Sequence, residues 1–268
     1  EHGIWAWVAR LDGEILTDEA LAAIEEQAEA TFDEGELVEA VGAVDVPTDV
    51  YDDPIKATEV DPLHLAEIDL DEFDIPVVIN DDVKKWMRYF LGNGRKHYLR
   101  YLKRSTTYSP LMLAELDKKG LPRDLIFLSM IESGYNAHAY SHVGAAGLWQ
   151  FMPSTGRLYK LRVDWWVDDR RDPHKATVAA VEHLADLHKM FKGDWYLAWS
   201  AYNAGPGRVR RAQRSSGSND FWAMSKGRHL PSETANYVPK LLAAAIIGKH
   251  PERYGFTDVA YQAELAID

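Results

Sequence analysis

The chain has 268 residues, 46% of them hydrophobic, with nine Trp and no Cys, which allows a sizeable core and excludes disulfides and thiolate metal sites. Its net charge of −12 joins two opposite parts: residues 1–82 hold 25 acidic side chains against Arg10 and Lys56, a balance of −23, and the remainder carries +11. The longest apolar run, Leu241 to Gly248, falls well short of the roughly 18–20 residues that span a bilayer.

Residues 14–42 consist of good helix formers, with Thr17 and the acids after it suited to an N-cap and first turn. From Val44 to Asp74 the text turns rich in Pro and Asp and loses helical period, which predicts an extended arm. Two readings of this arm stand side by side, an acidic solvated linker and a segment docked on the basic second part. Opposite charge and the apolar residues Leu63, Leu65, Ile68, Leu70 and Phe73 motivate the docked reading.

From residue 80 onward one helix follows another. DDVKKWMRYFL places Val83, Trp86, Met87, Phe90 and Leu91 on one face, with Asn80 or Asp81 able to cap it. Gly92 and Gly94 break it, and GRKHYLRYLKRS starts a second. LPRDLIFLSMIES reads as a helix with Pro122 in its first turn and Gly134 after its end. Ser154 and Thr155 suit the cap of a helix running through Tyr159. HKATVAAVEHLADLHKMF, WYLAWSAYN, GRVRRAQR and SETANYVPKLLAAAIIGKH follow, and no convincing strand pattern appears. The expectation is a mainly α protein: an acidic, partly helical and partly extended arm over 1–79, a helical domain over 80–256 and a tail over 257–268.

Glu132 stands out because no other carboxylate occurs between it and Asp164. It falls at a predicted helix C-terminus, whose partial negative charge disfavours a carboxylate, and apolar neighbours add to that effect. A carboxylic acid kept neutral near pH 7 is what protonation of a glycosidic oxygen requires. Downstream, Gly144 and Gly147 permit close backbone approach, LWQF offers an aromatic platform and an amide, and Ser133, Ser141 and Ser154 supply hydroxyls. Each has a structural explanation as well, and Glu132 alone would pass as an exposed helix-end residue.

Four motifs in order remove that ambiguity: ES at Glu132-Ser133, GAAGLWQFMPSTG at Gly144 to Gly156, AYNAG at Ala201 to Gly205, and ETANYVPK at Glu233 to Lys240. The sequence resembles the lytic murein transglycosylases with a soluble-transglycosylase, goose-lysozyme-like domain, most of all the membrane-bound lytic transglycosylase D group, over about residues 75–256. The resemblance implies a lysozyme-like helical domain acting on peptidoglycan glycan strands, in the periplasm or cell envelope, without cofactor. It implies cleavage of the N-acetylmuramic acid–β-1,4–N-acetylglucosamine bond with formation of 1,6-anhydro ends. Glu132 would act first as acid and then as base, so no second carboxylate is needed. Carried over residue by residue, Ser133, Ser141, Gln150, Tyr202 and Asn203 border the substrate, and the Tyr237 hydroxyl bonds the catalytic carboxyl group. Glu233 is open between the site and a helix-start role.

Competing readings are weaker. His138 and His142 are four apart but lack a third ligand, so no metal is expected. GRVRRAQR reads as a solvated basic face rather than a nucleic-acid site. In WWVDDRRDP, Arg–Asp pairing with buried indoles is favoured over paired catalytic carboxylates. Two other functions remain: a goose-type muramidase, drawing its base from Asp164, Asp168, Asp169 or Asp172, and a non-catalytic peptidoglycan-binding protein.

Overall fold

The computed structural model describes residues 63–265. The helix expected over 14–42 and the arm as far as residue 62 lie outside the described residues. Helix α1, Asp81–Leu91, starts where Asn80 accepts the Val83 N–H at 3.0 Å, and it buries Val83, Trp86, Met87 and Phe90. Leu91, expected on that face, is only partly covered. Helix α2, Arg95–Lys119, runs for 25 residues through Pro110 and stops at Gly120. The segment expected as one helix from Leu121 divides instead. Pro122 fixes the entry to a 3-10 turn at Arg123–Leu125, and α3 follows at Ile126–Ser133.

Short α4, Pro153–Leu158, begins on Pro153, so Ser154 and Thr155 lie inside its first turn rather than capping it. Helix α5, Pro173–Met190, and α6, Trp195–Ala204, are capped by Asp172 and Asp194, which accept the N–H groups of Lys175 and Leu197. Helix α7, Pro206–Ser216, turns Val209 and Ala212 inward and leaves Arg211 and Arg214 exposed, as a solvated basic face would. Helix α8, Phe221–Lys226, went unread in the sequence because six residues hold too little periodicity.

Helix α9, Ser232–Lys249, is the axis of the domain. From Leu241 to Ile247 every side chain is buried, so this stretch is apolar all round rather than amphipathic. Its run Ala243-Ala244-Ala245 lets neighbours approach closely, and α1, α3 and α6 pack around it while α5 packs on α2 and α6. Among the described residues there is no strand. Isolated antiparallel bridges at Tyr140–Ala146, Ala146–Phe151 and Val163–Asp168 organise the loops between α3 and α5.

The described part of the arm, residues 63–79, contacts the far end of α9. Leu63 and Ile75 are buried, Leu65, Ile68 and Phe73 are partly buried, and Leu70 is 46% exposed, against expectation. Glu72 pairs with His250 and Glu67 with Arg253. The Asp74 carboxylate accepts the N–H groups of Arg123 and Asp124, while Asp124 accepts the Asp74 N–H and the Lys249 ammonium. At the other terminus, Gln262 and Leu265 donate backbone N–H groups to the carbonyls of Lys103 and Thr107 on α2.

Candidate active site

Glu132 is the penultimate residue of α3, which ends where Gly134 turns left-handed (φ 59°) and returns its N–H to the Met130 carbonyl. A Cβ at Gly134 would stand 2.2 Å from the Tyr101 ring, so the turn that delivers Glu132 requires glycine. The Glu132 side chain is only 6% exposed. Burial pushes its carboxyl up to about 7, against the opposing pull of the Tyr237 hydroxyl and the Lys240 ammonium and with a smaller upward push from Glu233. The Tyr237 hydroxyl donates to Glu132 Oε1 at 2.5 Å.

Three residues on α9 thus act on one carboxyl group. Glu233, Tyr237 and Lys240 sit at i, i+4 and i+7, one face of the helix. Lys240 is partly buried, and its desolvation lowers its own pKa; its Nζ donates to the Ile131 carbonyl at 3.3 Å. The Glu233 carboxyl is itself raised by burial, with Asn203, Lys240, Arg208 and His142 pulling the other way. Glu233 is therefore both a first-turn residue and an electrostatic member of the site. Lys240 carried no role in the sequence reading, although the 233–237–240 spacing was there to find.

The loop from Gly144 to Phe151 forms a wall beside α3. Gln150 adopts a left-handed backbone (φ 49°), a conformation that costs energy in a residue with a side chain. Its Nε2 donates to the Gly147 carbonyl at 2.8 Å, whereas Oε1, in a side chain 9% exposed, finds no protein partner. An acceptor held this way suits an N–H or O–H donor on a ligand. Ser141 also belongs to this wall, its Oγ accepting the Ala145 N–H at 2.8 Å. Ser133 is placed differently. It is buried and donates to the Leu148 carbonyl at 2.8 Å, so its hydroxyl holds the wall to α3.

Tyr202 and Asn203 enter from α6. The Tyr202 hydroxyl donates to the Trp149 carbonyl at 2.8 Å, immediately before Gln150, and its ring lies 5.2 Å from that of His183. Desolvation of the partly buried His183 ring pulls its pKa down to about 4 and keeps it neutral at pH 7. Asn203 Oδ1 accepts the Thr234 hydroxyl at 2.8 Å and ties α6 to α9.

Two expectations about this wall are corrected. LWQF is no aromatic platform: Leu148, Trp149 and Phe151 are buried, and the Trp149 indole donates to Thr177 Oγ1 at 3.0 Å. The close approach at Gly147 is to protein rather than ligand, because a Cβ there would lie 1.8 Å from the Arg170 carbonyl oxygen. Arg170, 3% exposed, also donates to the carbonyls of Gly144 and Phe151 and pairs with Asp168. That is the loop-fixing role expected for WWVDDRRDP. Its indoles are the correction, since Trp165 and Trp166 are 90% and 84% exposed.

The loop aspartates are occupied. Arg162 holds the Asp164 carboxyl below its ordinary range, and Lys175 does so at Asp169. At Asp168 burial pushes upward but Arg170 outweighs it. Asp172 caps α5. Among the described residues, no three His, Cys, Asp or Glu side chains gather as a metal site.

Residues 111–225 match the family described as the transglycosylase SLT domain. Over that span the chain is a transglycosylase SLT domain. The wider chain is 39% identical over 190 residues to membrane-bound lytic murein transglycosylase D of Escherichia coli K12, covering 69% of this chain and 41% of that protein. It is 36% identical over 141 residues to the peptidoglycan transglycosylase of Escherichia phage T7, covering 52% of this chain and 10% of that one. The 70 kDa soluble lytic transglycosylase of E. coli superposes over 66% of this chain and 31% of that one, with 25% identity and a TM-score of 0.48. The chain therefore spans less than half the length of these relatives. Glu132, Ser133, Ser141, Gln150, Tyr202 and Asn203 lie inside the SLT-domain match, and Tyr237 lies beyond it.

Proposed function

We propose that this chain is a peptidoglycan lytic transglycosylase that cleaves the N-acetylmuramic acid–β-1,4–N-acetylglucosamine bond without water. The observation that carries this reading is Glu132: a buried carboxyl raised to about 7, bonded by Tyr237, with every nearby loop aspartate already paired or capping. In the first step the Glu132 carboxylic acid protonates the oxygen leaving with N-acetylglucosamine. In the second the Glu132 carboxylate takes the proton from the muramoyl C6 hydroxyl as that oxygen closes onto C1, giving the 1,6-anhydro ring and returning Glu132 to its acid form. A group poised near 7 serves both directions of transfer. Lys240 and the Tyr237 hydroxyl stabilise the intervening carboxylate, and Gln150 Oε1 and the Ser141 hydroxyl are placed to receive the sugar's amide and hydroxyl groups.

An activity of this kind acts where peptidoglycan lies, in the periplasm or cell envelope, and no described helix is long and apolar enough to cross a membrane. Docking of the acidic arm is part of the same proposal. It draws support from the Glu72–His250 and Glu67–Arg253 pairs. Lys249, at the arm's contact, is twelve residues along α9 from Tyr237, about 18 Å, so the described arm segment braces α9 at a distance from Glu132.

A hydrolytic reading has one observation in its favour, the carboxyl of Glu233 close enough to act on Glu132. Mass spectrometry of fragments released from purified peptidoglycan decides between them. Anhydro-muramoyl ends, one water lighter than reducing ends and absent with Glu132→Gln, are the expected products. Reducing ends would establish hydrolysis with Glu233 as base. Solubilisation by Glu132→Gln at the parent rate would remove the catalytic assignment, and no release by the parent would leave a binding protein.

A further inference from the structure

Two adjacent indoles stand in solvent at the tip of a loop built with unusual care. Residues 162–169 form a narrow hairpin closed by the Val163–Asp168 bridge. The Asp164 N–H donates to the Val167 carbonyl at 2.9 Å and the Asp169 N–H to the Arg162 carbonyl at 2.8 Å. Inside the turn, Asp164 Oδ1 accepts the N–H groups of Trp166 and Val167 at 2.8 and 2.9 Å, and Oδ2 accepts Arg162 Nε at 2.5 Å. Arg157 braces the hairpin from outside by donating to the Val163 carbonyl. Leaving two of the largest apolar side chains exposed forgoes their burial, and a rigid base removes the option of folding them back.

The hairpin is continuous with the wall of the site. Its Asp168 pairs with Arg170, which grips the Gly144 and Phe151 carbonyls on either side of Gln150. From the next position the Arg171 guanidinium lies 5.2 Å from the centre of the Tyr140 ring, a third exposed aromatic on the segment joining Glu132 to that wall. One framework therefore fixes both the Gln150 acceptor and an exposed aromatic rim.

We propose that Trp165 and Trp166, with Tyr140 beside the same framework, form a glycan-binding subsite next to the Gly144–Phe151 wall that holds sugar rings of the peptidoglycan strand beyond those being cleaved. Indole faces stack on the C–H faces of pyranose rings while the ring edges and neighbouring polar groups meet their hydroxyls. The framework that carries these rings also holds the carbonyls on either side of Gln150, next to the wall that α3 and Glu132 adjoin, which favours the glycan strand acted on there over a membrane as occupant. This inference rests on the proposed function and deepens it by adding a subsite away from the reacting bond.

The test uses the full chain carrying Glu132→Gln, so that binding is measured without cleavage, and glycan strands freed of their peptide stems as the probe. Replacing Trp165 and Trp166 together by Ala is expected to weaken binding about ten-fold or more, with an unchanged circular dichroism spectrum and Tm because both indoles are exposed. Replacing both by Phe should restore most of the affinity, since it retains an aromatic face. In the otherwise unmodified enzyme, the Ala pair should slow release from long strands and leave turnover of the shortest cleavable fragment unchanged. Unchanged strand binding by the Ala pair overturns the subsite while leaving the proposed function intact. Loss of binding to anionic phospholipid vesicles with strand binding preserved also overturns it, in favour of a membrane contact. A parent chain that neither binds strands nor releases products overturns both readings.

Discussion

The Tyr237 phenol and the Glu132 carboxyl meet at 2.5 Å although 105 positions separate them in the chain. Neither helix would present its residue to the other without the apolar centre of α9, which α3 packs against. Tyr237 is buried and its own pKa is raised by burial and by the Glu132 charge, so it remains a donor throughout the accessible pH range.

Tyr237→Phe removes that donor at little cost in volume. Because the phenol lowers the Glu132 pKa, its loss raises that pKa further above 7. The alkaline limb of kcat/KM should therefore move to higher pH, while kcat falls by about 10–100-fold as the carboxyl loses its orientation. A pH–rate profile on soluble glycan strands checks both. An alkaline limb moving to lower pH would contradict the assignment.

Glu132→Gln should trade activity for stability. With Glu132 as the proposed acid and base, its loss is expected to cost about 10²–10⁴-fold or more in rate. The folded-state pKa of Glu132 is raised from 4.5 to about 7, so between those values the folded chain holds more protons than the unfolded one. This contribution to stability is full below 4.5, declines as pH rises through that window and is lost above 7. Gln is neutral throughout, so the variant should gain on the order of 1–3 kcal/mol over the parent at pH 8 and nothing at pH 4.5. Thermal unfolding at both pH values measures the difference.

Lys240 and Glu233 should have opposite signatures. Lys240 lowers the Glu132 pKa and Glu233 raises it. Lys240→Met should shift the alkaline limb upward and Glu233→Gln should shift it downward. If Glu233→Gln abolishes turnover while leaving the limb in place, Glu233 acts on substrate rather than on Glu132.

Gly147→Ala tests the architecture of the wall. The new methyl group would meet the Arg170 carbonyl at 1.8 Å in a backbone with φ 83°, so the loop must move. A loss of about 2–4 kcal/mol in stability is expected, with kcat reduced because Gln150 moves with it. Urea unfolding of the variant gives the number, and a shift below 0.5 kcal/mol would mean that the loop relaxes freely.

Features set by near neighbours in the chain were legible. Asn80 caps α1 because its side chain reaches the N–H group three residues on. Features set by distant packing were less so. Trp149 and Trp165 are the same residue type in two aromatic clusters, yet one is core and the other lies in water. No local rule separates them, because Trp149 is received by Thr177, 28 positions away in the chain, while Trp165 is left 90% exposed.

The sequence by itself determined that residues 80–256 are mainly helical, that Glu132 is an isolated carboxyl at a helix end, and which motifs accompany it. Periodicity, capping and motif order are local or linear properties, and a single chain displays them. Only the tertiary structure decided that Ser133 braces the wall, that Gly147 yields its space to Arg170, and that Glu233, Tyr237 and Lys240 converge on Glu132. Those outcomes depend on which surfaces exclude water together, and burial is a property of the packed chain rather than of any segment in it.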